Sequence, residues 1–475
     1  MNENLKKGLM YSALGKYSNV FIQLIINAVL SRILTPEDYG IVASVQVFIL
    51  FFQMLIDAGM GPAIIQNKKL TEKDYDILFS FSIIFSILLA LFFGFFGNFI
   101  ALFYADNIFI KLTWAQCVFV FFTGISVVPT AVLNKNKQFK IVNFSNVIGN
   151  LIGGIIGILA AIKGLGVYSL IISTSISSVI YFIINKRNSK LEISFKLELS
   201  PLIEISFFAK NQLFFNIINY FSRNSDNILI GKFMGNEALG NYSKTYQVLM
   251  MPNSILLGVI NPVLQPIMSD YENDVEYIKN LYLKIVHFLA LIGIPLSVFL
   301  SLSSKQVIFF LFGNQWGDAV LPFCILSLSV WIQMTLSSSG TVYQSRNLTR
   351  LLLYNGIISS SILVISIIIG ILFGSLFSVS FFLLLGFIIN FFVSFNMIMK
   401  KALNSNLIIL LKEFKKPLIP AFFVGIFLKG FEYLNISMIN FFDLLFRGII
   451  FLIVMVVYIL FSDEKEFIKD LFLKK

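Results

Sequence analysis

What the chain lacks narrows its chemistry first. Among 475 residues there is one histidine, His287, and only two cysteines, Cys117 and Cys324, all within apolar stretches. That excludes the familiar His and Cys zinc motifs, offers no disulfide framework and leaves a histidine-based triad unsupported. His287 reads instead as a satisfied polar residue within the membrane. No GxxxxGK[ST] segment is present, so ATP hydrolysis by a phosphate loop is excluded. Charged residues make up 13% of the chain, and no paired acidic motif supports carboxylate catalysis. The chain reads as a non-enzyme with no cofactor.

What is abundant is apolar. Hydrophobic residues reach 57%, 53 of the residues are Phe, and the mean hydropathy is +0.86; a soluble chain is roughly 45–50% apolar. Stretches of about 20 residues, enough to cross a hydrocarbon core of about 30 Å, recur from end to end and leave no room for a soluble domain. The expected fold is an all-α polytopic membrane protein with about fourteen transmembrane helices. The spans are 10–33, 40–66, 75–103, 108–133, 141–162, 164–185, 205–232, 240–268, 278–302, 318–344, 351–373, 376–399, 417–434 and 440–462. The stretch "SSKQVIFFLFGNQWG", 303–317, is too short to cross and too apolar for a solvated loop, so it is expected to lie in the interface. Lys16 interrupts the first apolar run and no small-residue cleavage site follows, so the first helix should be retained.

Lysine and arginine positions orient the chain, because basic short loops stay in the cytoplasm. Alternate connections hold Lys68, Lys69 and Lys73; Lys135, Lys137 and Lys140; Lys186, Arg187, Lys190 and Lys196; Lys279; Arg346 and Arg350; and Lys400, Lys401, Lys412, Lys415 and Lys416. The opposite set holds little beyond Lys163, Lys232, Lys305 and Lys429. Both termini should therefore be cytoplasmic in a multi-pass protein of the cell (inner) membrane, in agreement with an even number of spans. Topology and anionic lipid contact account for the net charge of +11. The basic residues are scattered over separate loops, so nucleic acid is not an expected partner.

The chain also repeats itself. "LSRILTPEDYG", Leu30 to Gly40, returns 200 residues later as "IGKFMGNEALG", Ile230 to Gly240. In the first helix Ser12, Lys16, Asn19, Gln23 and Asn27 fall on one face; Gln212, Asn216, Asn219, Arg223 and Asn227 occupy the same five positions in the seventh. Six spans separate the copies, so two six-helix lobes, 1–200 and 201–403, should share one orientation about a pseudo-two-fold axis along the membrane normal. Residues 404–475 add two further helices and a tail. A charge at the bilayer centre is opposed by roughly 2.5–3.5 kcal/mol, so these stripes should face protein or water. Either they line a central cavity, or their amides join helices.

Several residues sharpen this choice. Arg223 could contact an anionic group with Asp226 holding it, or the two could simply neutralise each other. Lys16 and Asp57 lie at similar depth and could pair, as a gate or as structure; Gln46 and Gln53 share the Asp57 face, and Gln333, Ser337, Thr341 and Gln344 form another polar row. Pro252, Pro262 and Pro266 invite kinks in the eighth helix, static or hinged. Gly149, Gly153 and Gly157 make a GxxxGxxxG ridge for close packing, and Glu432 and Arg447 read as interfacial.

The run "LSRILTPEDYGIVASVQVFILFFQMLIDAGMGPAIIQ", Leu30 to Gln66, resembles the first signature of polysaccharide exporters of the multidrug/oligosaccharidyl-lipid/polysaccharide superfamily, especially Wzx-type and WzxC-like flippases. "SRNSDNILIGKFMGNEALGNYSKTYQVLMMP", Ser222 to Pro252, resembles their second-half signature. The resemblance implies alternating access around a central cavity, with Arg32, Glu37, Asp38 and Gly40 in an extracytoplasmic turn that stabilises the outer end of a lobe. It implies an undecaprenyl diphosphate-linked oligosaccharide as substrate, flipped outward for O-antigen, capsule, exopolysaccharide or teichuronic acid assembly. Membrane lipids and other assembly enzymes are the implied partners. The residues expected to line the cavity are Lys16, Asn19, Gln23, Asn27, Gln53, Asp57, Asn216, Asn219, Arg223, Asp226 and Asn227. An ion-coupled extruder of drugs or small solutes would want lone buried carboxylates, and a membrane glycan ligase or polymerase a large outer loop.

Overall fold

The computed structural model describes residues 3–57, 60–67, 69–194, 220, 224–434 and 439–472, and every regular element among them is helical. Contact density divides the chain into two units, Met1–Gly240 and Asn241–Lys475. The first contains α1 (Glu3–Ile33), α2 (Pro36–Asp57), α3 (Met60–Gln66), α4 (Glu72–Tyr104), α5 (Ile108–Ile125), α6 (Val127–Lys135), α7 (Phe139–Ile162), α8 (Tyr168–Ser189), α9 (residues 224–234) and the first turn of α10 (Asn236–Asp270). The second holds the remainder of α10, then α11 (Val275–Leu302), α12 (Ser304–Phe312), α13 (Gly317–Ser327), α14 (Val330–Leu336) and α15 (Ser339–Ser345). It continues with α16 (Thr349–Leu372), α17 (Leu376–Met397), α18 (Leu407–Lys412), α19 (Lys415–Tyr433), α20 (Asn440–Phe461) and α21 (Glu464–Phe472).

Nine helices among the described residues are long and apolar enough to cross a membrane, and ten if α13 to α15, bent by 52°, count as one span. These occupy ten of the fourteen expected positions. The first, eighth and thirteenth positions are helical but fall outside that count, and most of the seventh lies outside the described residues. The segment 303–317 is a short helix and a single 3-10 turn, Asn314–Trp316, with the Trp316 and Phe312 rings buried against each other.

The duplication is visible in the backbone. Helices α7 and α16 each have 24 residues and begin 210 positions apart; α8 and α17 each have 22. The turns around them repeat the same left-handed residues, Lys137 (φ 60) with Asn347 (φ 54) and Gly164 (φ 78) with Gly374 (φ 72). Such positions are uncommon outside glycine, so their recurrence in register is more telling than the weak sequence identity.

Within the first unit the repeated turn resolves into a helix start. Thr35 precedes α2 and Pro36 opens it, where a missing N–H costs nothing. The Thr35 N–H and hydroxyl donate to Asp38 Oδ2 at 3.0 and 2.9 Å, while the Asp38 N–H donates to Thr35 Oγ1 at 3.2 Å. This reciprocal cap explains the acidic residue. Gly40 explains itself by what surrounds it: a Cβ there would collide with the Asn236 carbonyl, and one on Gly240 with the Pro36 carbonyl. Each glycine therefore meets the residue that opens the other's helix.

Cations serve helix ends. Lys135 Nζ donates to the Ile64 carbonyl at 2.9 Å, to the Asn67 carbonyl and to the Tyr75 hydroxyl at 2.6 Å, closing the end of α3. Lys186 bonds the Leu191 carbonyl, Lys232 that of Phe103 at the end of α4, and Arg346 that of Ala402. Arg447, expected in the interface, is 4% exposed; it donates to Asp443 Oδ1 at 2.7 Å and to the Leu302 carbonyl at 3.1 Å, where α11 ends. Glu432 is exposed and pairs with Lys429 at 2.8 Å.

The glycine ridge packs as expected. Gly149, Gly153 and Gly157 of α7 lie against Ser177, Ser173 and Ser169 of α8, the two rows matching in spacing. A Cβ on Gly153 would collide with the Ser173 carbonyl and the Ser177 hydroxyl, whereas one on Gly356 would meet open space. Gly153→Leu should therefore destabilise the protein by about 1–3 kcal/mol through overpacking. Thermal unfolding of the purified protein should show a lowered midpoint for Gly153→Leu and no lowering for Gly356→Leu, which relieves glycine's helix penalty without a clash.

Candidate functional site

The polar stripe of α1 divides once its neighbours are in place. Helix α7 packs on the side of α1 bearing Gly15 and Ile26, which meet Asn143 and Gly154. Asn19 is on that side and accepts a hydrogen bond from Asn150 Nδ2 at 2.6 Å. It joins two helices. Asn27 is half-buried and donates to the Gln23 carbonyl at 2.9 Å, one turn back. Gln23 itself is exposed, as are Phe21 at 65% and Ile25 at 49%. Two residues are about 200° apart on a helix, so Gln23 lies almost opposite both of them. Helix α1 thus presents one open apolar side, suited to lipid, and one open side carrying an amide, suited to water or a polar ligand.

The residues of α2 and α9 are also within the first unit. Gln46 and Gln53 of α2 are half-buried. Tyr220 donates its hydroxyl to the Val47 carbonyl, and its ring lies 6.4 Å from that of Phe51. Further along α9, Gly231 approaches Ser44 and Tyr104, so this segment runs along α2. Asp226, between those contacts, is buried, and its Oδ1 accepts the Asn227 N–H at 2.8 Å; Asn227 is half-buried. Asn216, Asn219 and Arg223 lie outside the described residues, as do the side chains of Lys16 and Asp57. The two proposed ion pairs therefore have no geometry here.

The row on the tenth span is broken across helix ends. Gln333 Nε2 donates to Ser329 Oγ at 2.8 Å, and Ser337 Oγ to Asn253 Oδ1 of α10 at 3.1 Å. Helix α10 runs unbroken as helix through Pro252, Pro262 and Pro266.

Sequence reasoning missed two buried polar groups, Asn185 and Lys244, and the partners of a third, His287. Asn185, fully buried, accepts from Ser145 Oγ at 2.8 Å and donates to Thr130 Oγ1 at 3.1 Å, tying α6, α7 and α8 together. Lys244, 2% exposed, sits over Phe312 and Trp316, with ring centroids 4.8 and 5.8 Å from Nζ. His287 is satisfied, but by two carboxylate residues: Nε2 lies 2.9 Å from Glu464 Oε2, and Nδ1 lies 2.9 Å from the Glu413 carbonyl and 3.2 Å from its carboxylate.

This division of α1 has a measurable consequence. Asn19→Ala leaves the Asn150 amide without its partner and should cost about 0.6–2 kcal/mol. Gln23→Ala removes an exposed side chain and should stay within about 0.5 kcal/mol of wild type. Denaturant unfolding in detergent would separate the two; equal losses would remove the distinction between the joined and the open side.

The comparisons with known proteins agree with an all-helical membrane fold. Residues 29–321 match a family model described as polysaccharide biosynthesis protein. The chain is 25% identical over 361 residues to the teichuronic acid biosynthesis protein TuaB of Bacillus subtilis, covering 74% of each chain. It is 21% identical to the succinoglycan biosynthesis transport protein ExoT of Rhizobium meliloti, over 69% of this chain and 66% of that one. In fold it resembles the lipid II flippase MurJ in an inward closed conformation, with a TM-score of 0.75 at 16% identity over 96% of this chain and 100% of that one. An inward-facing multidrug resistance transporter of the MATE family gives a TM-score of 0.62 at 14% identity over 79% and 92%. With the family model matched across more than half of its length, the chain belongs to the polysaccharide biosynthesis protein family.

Proposed function

We propose that this protein is a flippase that moves undecaprenyl diphosphate-linked oligosaccharide repeat units from the cytoplasmic to the outer leaflet by alternating access. The observation that carries the reading is the open amide side of α1, Gln23 facing away from Phe21 and Ile25. A transport path for a sugar needs neutral hydrogen-bonding groups in an otherwise apolar wall, and an amide supplies both a donor and an acceptor. The names of the relatives, teichuronic acid biosynthesis and succinoglycan transport, supply the substrate class. The fold shared with a lipid II flippase is compatible with moving a lipid-linked glycan.

In this reading two six-helix lobes, 1–200 and 201–403, enclose the path, and both termini are cytoplasmic. Gln23, Asn27, Gln53 and Asn227 contact sugar hydroxyls. Arg223, steadied by Asp226, takes the diphosphate, which a guanidinium can grip with two parallel hydrogen bonds. Asn216 and Asn219 extend the same face, and Lys16 with Asp57 closes the inner end. Asn19 belongs to the scaffold through its bond to Asn150. The protein carries out no covalent chemistry, and the glycan assembly enzymes are its working partners.

Mass spectrometry of lipid extracts from a deletion strain tests this. The strain should accumulate an undecaprenyl diphosphate oligosaccharide that wild-type protein clears. At matched expression Arg223→Ala should clear it at least tenfold more slowly, about 1.4 kcal/mol, and Lys305→Ala, on the exposed side of α12, at the wild-type rate. No accumulation while the glycan pathway is active would reject the flippase reading in favour of solute export.

A further inference from the structure

His287 stands where three parts of the second unit meet: α11, the end of α18 where it joins α19, and the first turn of α21. Both of its ring nitrogens face oxygen. Nδ1 lies 2.9 Å from the Glu413 carbonyl and 3.2 Å from the Glu413 carboxylate, and Nε2 lies 2.9 Å from Glu464 Oε2. A backbone carbonyl only accepts, so Nδ1 must carry a hydrogen. In a neutral imidazole that leaves Nε2 as a lone pair aimed at a carboxylate, and 2.9 Å is a hydrogen-bond distance that two acceptors reach only with a hydrogen between them. The contact therefore holds one more proton, on Nε2 or on Glu464, and that proton belongs to the pair. Burial makes the requirement strict, since Glu464 is 1% exposed and His287 6%. Without the proton, an ionised carboxylate would be buried against a lone pair.

The surroundings give the proton a way in but supply no substitute for it. A cavity of about 670 Å³ leads to His287, Glu413 and Glu464 past the exposed Lys284, Lys412 and Lys416. Lys416 pairs with Asp463, also exposed, at 3.2 Å, and the Tyr458 hydroxyl of α20 donates to the Lys416 carbonyl at 3.0 Å. Water and salt screen these exposed charges from the buried pair. Helix α14, which bonds to Ser297 of α11 through the Trp331 N–H, has no titratable side chain, and Cys324 of α13 meets α11 at Ser301, near its far end.

We infer that His287, Glu413 and Glu464 form a proton-binding clasp, which fastens α21 to α11 and to the α18–α19 junction while the shared proton is present and releases α21 when the proton leaves. Helix α21 is held through Glu464 and through Phe467, whose ring stands edge-on to that of His287 at 4.9 Å. A free histidine and glutamate together hold the same proton between about pH 4.3 and 6.5, so docking is insensitive to pH in that range. Above it only the docked pair keeps the proton, and docking weakens as pH rises. The opposite end of α11 has no such sensitivity. There Arg447 of α20 donates to the Leu302 carbonyl at 3.1 Å, about 22 Å from His287 along the helix at 1.5 Å per residue, and a guanidinium keeps its charge throughout. Helix α21 is thus free to leave while α20 stays fastened. The clasp lies apart from the proposed transport path and does not depend on the identity of the transported glycan.

Hydrogen exchange of the full-length protein in detergent, read on α21 and on the first half of α20, provides the test. Glu464→Gln supplies the comparison: its amide donates to the Nε2 lone pair of a neutral imidazole, so α21 stays docked with no extra proton. At about pH 6 both proteins should protect α21 alike. At about pH 9 the wild type should exchange in α21 about tenfold faster than Glu464→Gln, compared at the same pH so that the intrinsic rate cancels. His287→Leu should exchange fast in α21 at both pH values, while protection around Arg447 stays the same in all three proteins and shows that each is folded. Wild type exchanging no faster than Glu464→Gln at the higher pH, or His287→Leu protecting α21 as wild type does, would overturn the inference.

Discussion

The structure depends on one constraint: a backbone carbonyl released at a helix end has no water to turn to inside an apolar solvent. Every break in a span frees such groups, and among the described residues spans are broken at Ser126, Ser329 and Ser338. At the ends of other helices, long cationic side chains take up such carbonyls. Lys135, Lys186, Lys232, Arg346 and Arg447 each reach a carbonyl at or just past a helix end, where the helix dipole also favours positive charge. Charge distribution and helix termination are thus partly the same feature.

This overlap explains what could be read from the amino-acid order. Length and apolarity located most of the helices because they are local quantities, and the glycine ridge of α7 announced its own packing because small residues at a spacing of four have few other uses in a membrane. The stripe on α1 was only half legible. Periodicity puts Asn19 and Gln23 on neighbouring positions of one helix, but only the location of α7 decides that one is covered and the other open. Lys244 and Asn185 were invisible for the same reason. Nothing in their own segments announces the aromatic rings or the hydroxyls that make their burial tolerable.

Duplication adds a second kind of information. The two halves share little in side chains beyond a few polar positions, yet α7 and α16 are equal in length, as are α8 and α17. Bilayer thickness fixes length, and turn geometry fixes the left-handed residue that follows or precedes it. Side chains facing lipid are held by neither. The backbone therefore retains the repeat where composition obscures it.

The matched rows of α7 and α8 also set a mechanical rule. Glycines four residues apart meet serines four residues apart, so the next position in which both rows fit is displaced by about 6 Å along the helix axis. Any shorter slide drives serine atoms into the glycine backbone. The pair behaves as a stiff plate with no small shear mode, and deformation within the first unit must be absorbed elsewhere, in segments such as the break at Ser126 between α5 and α6.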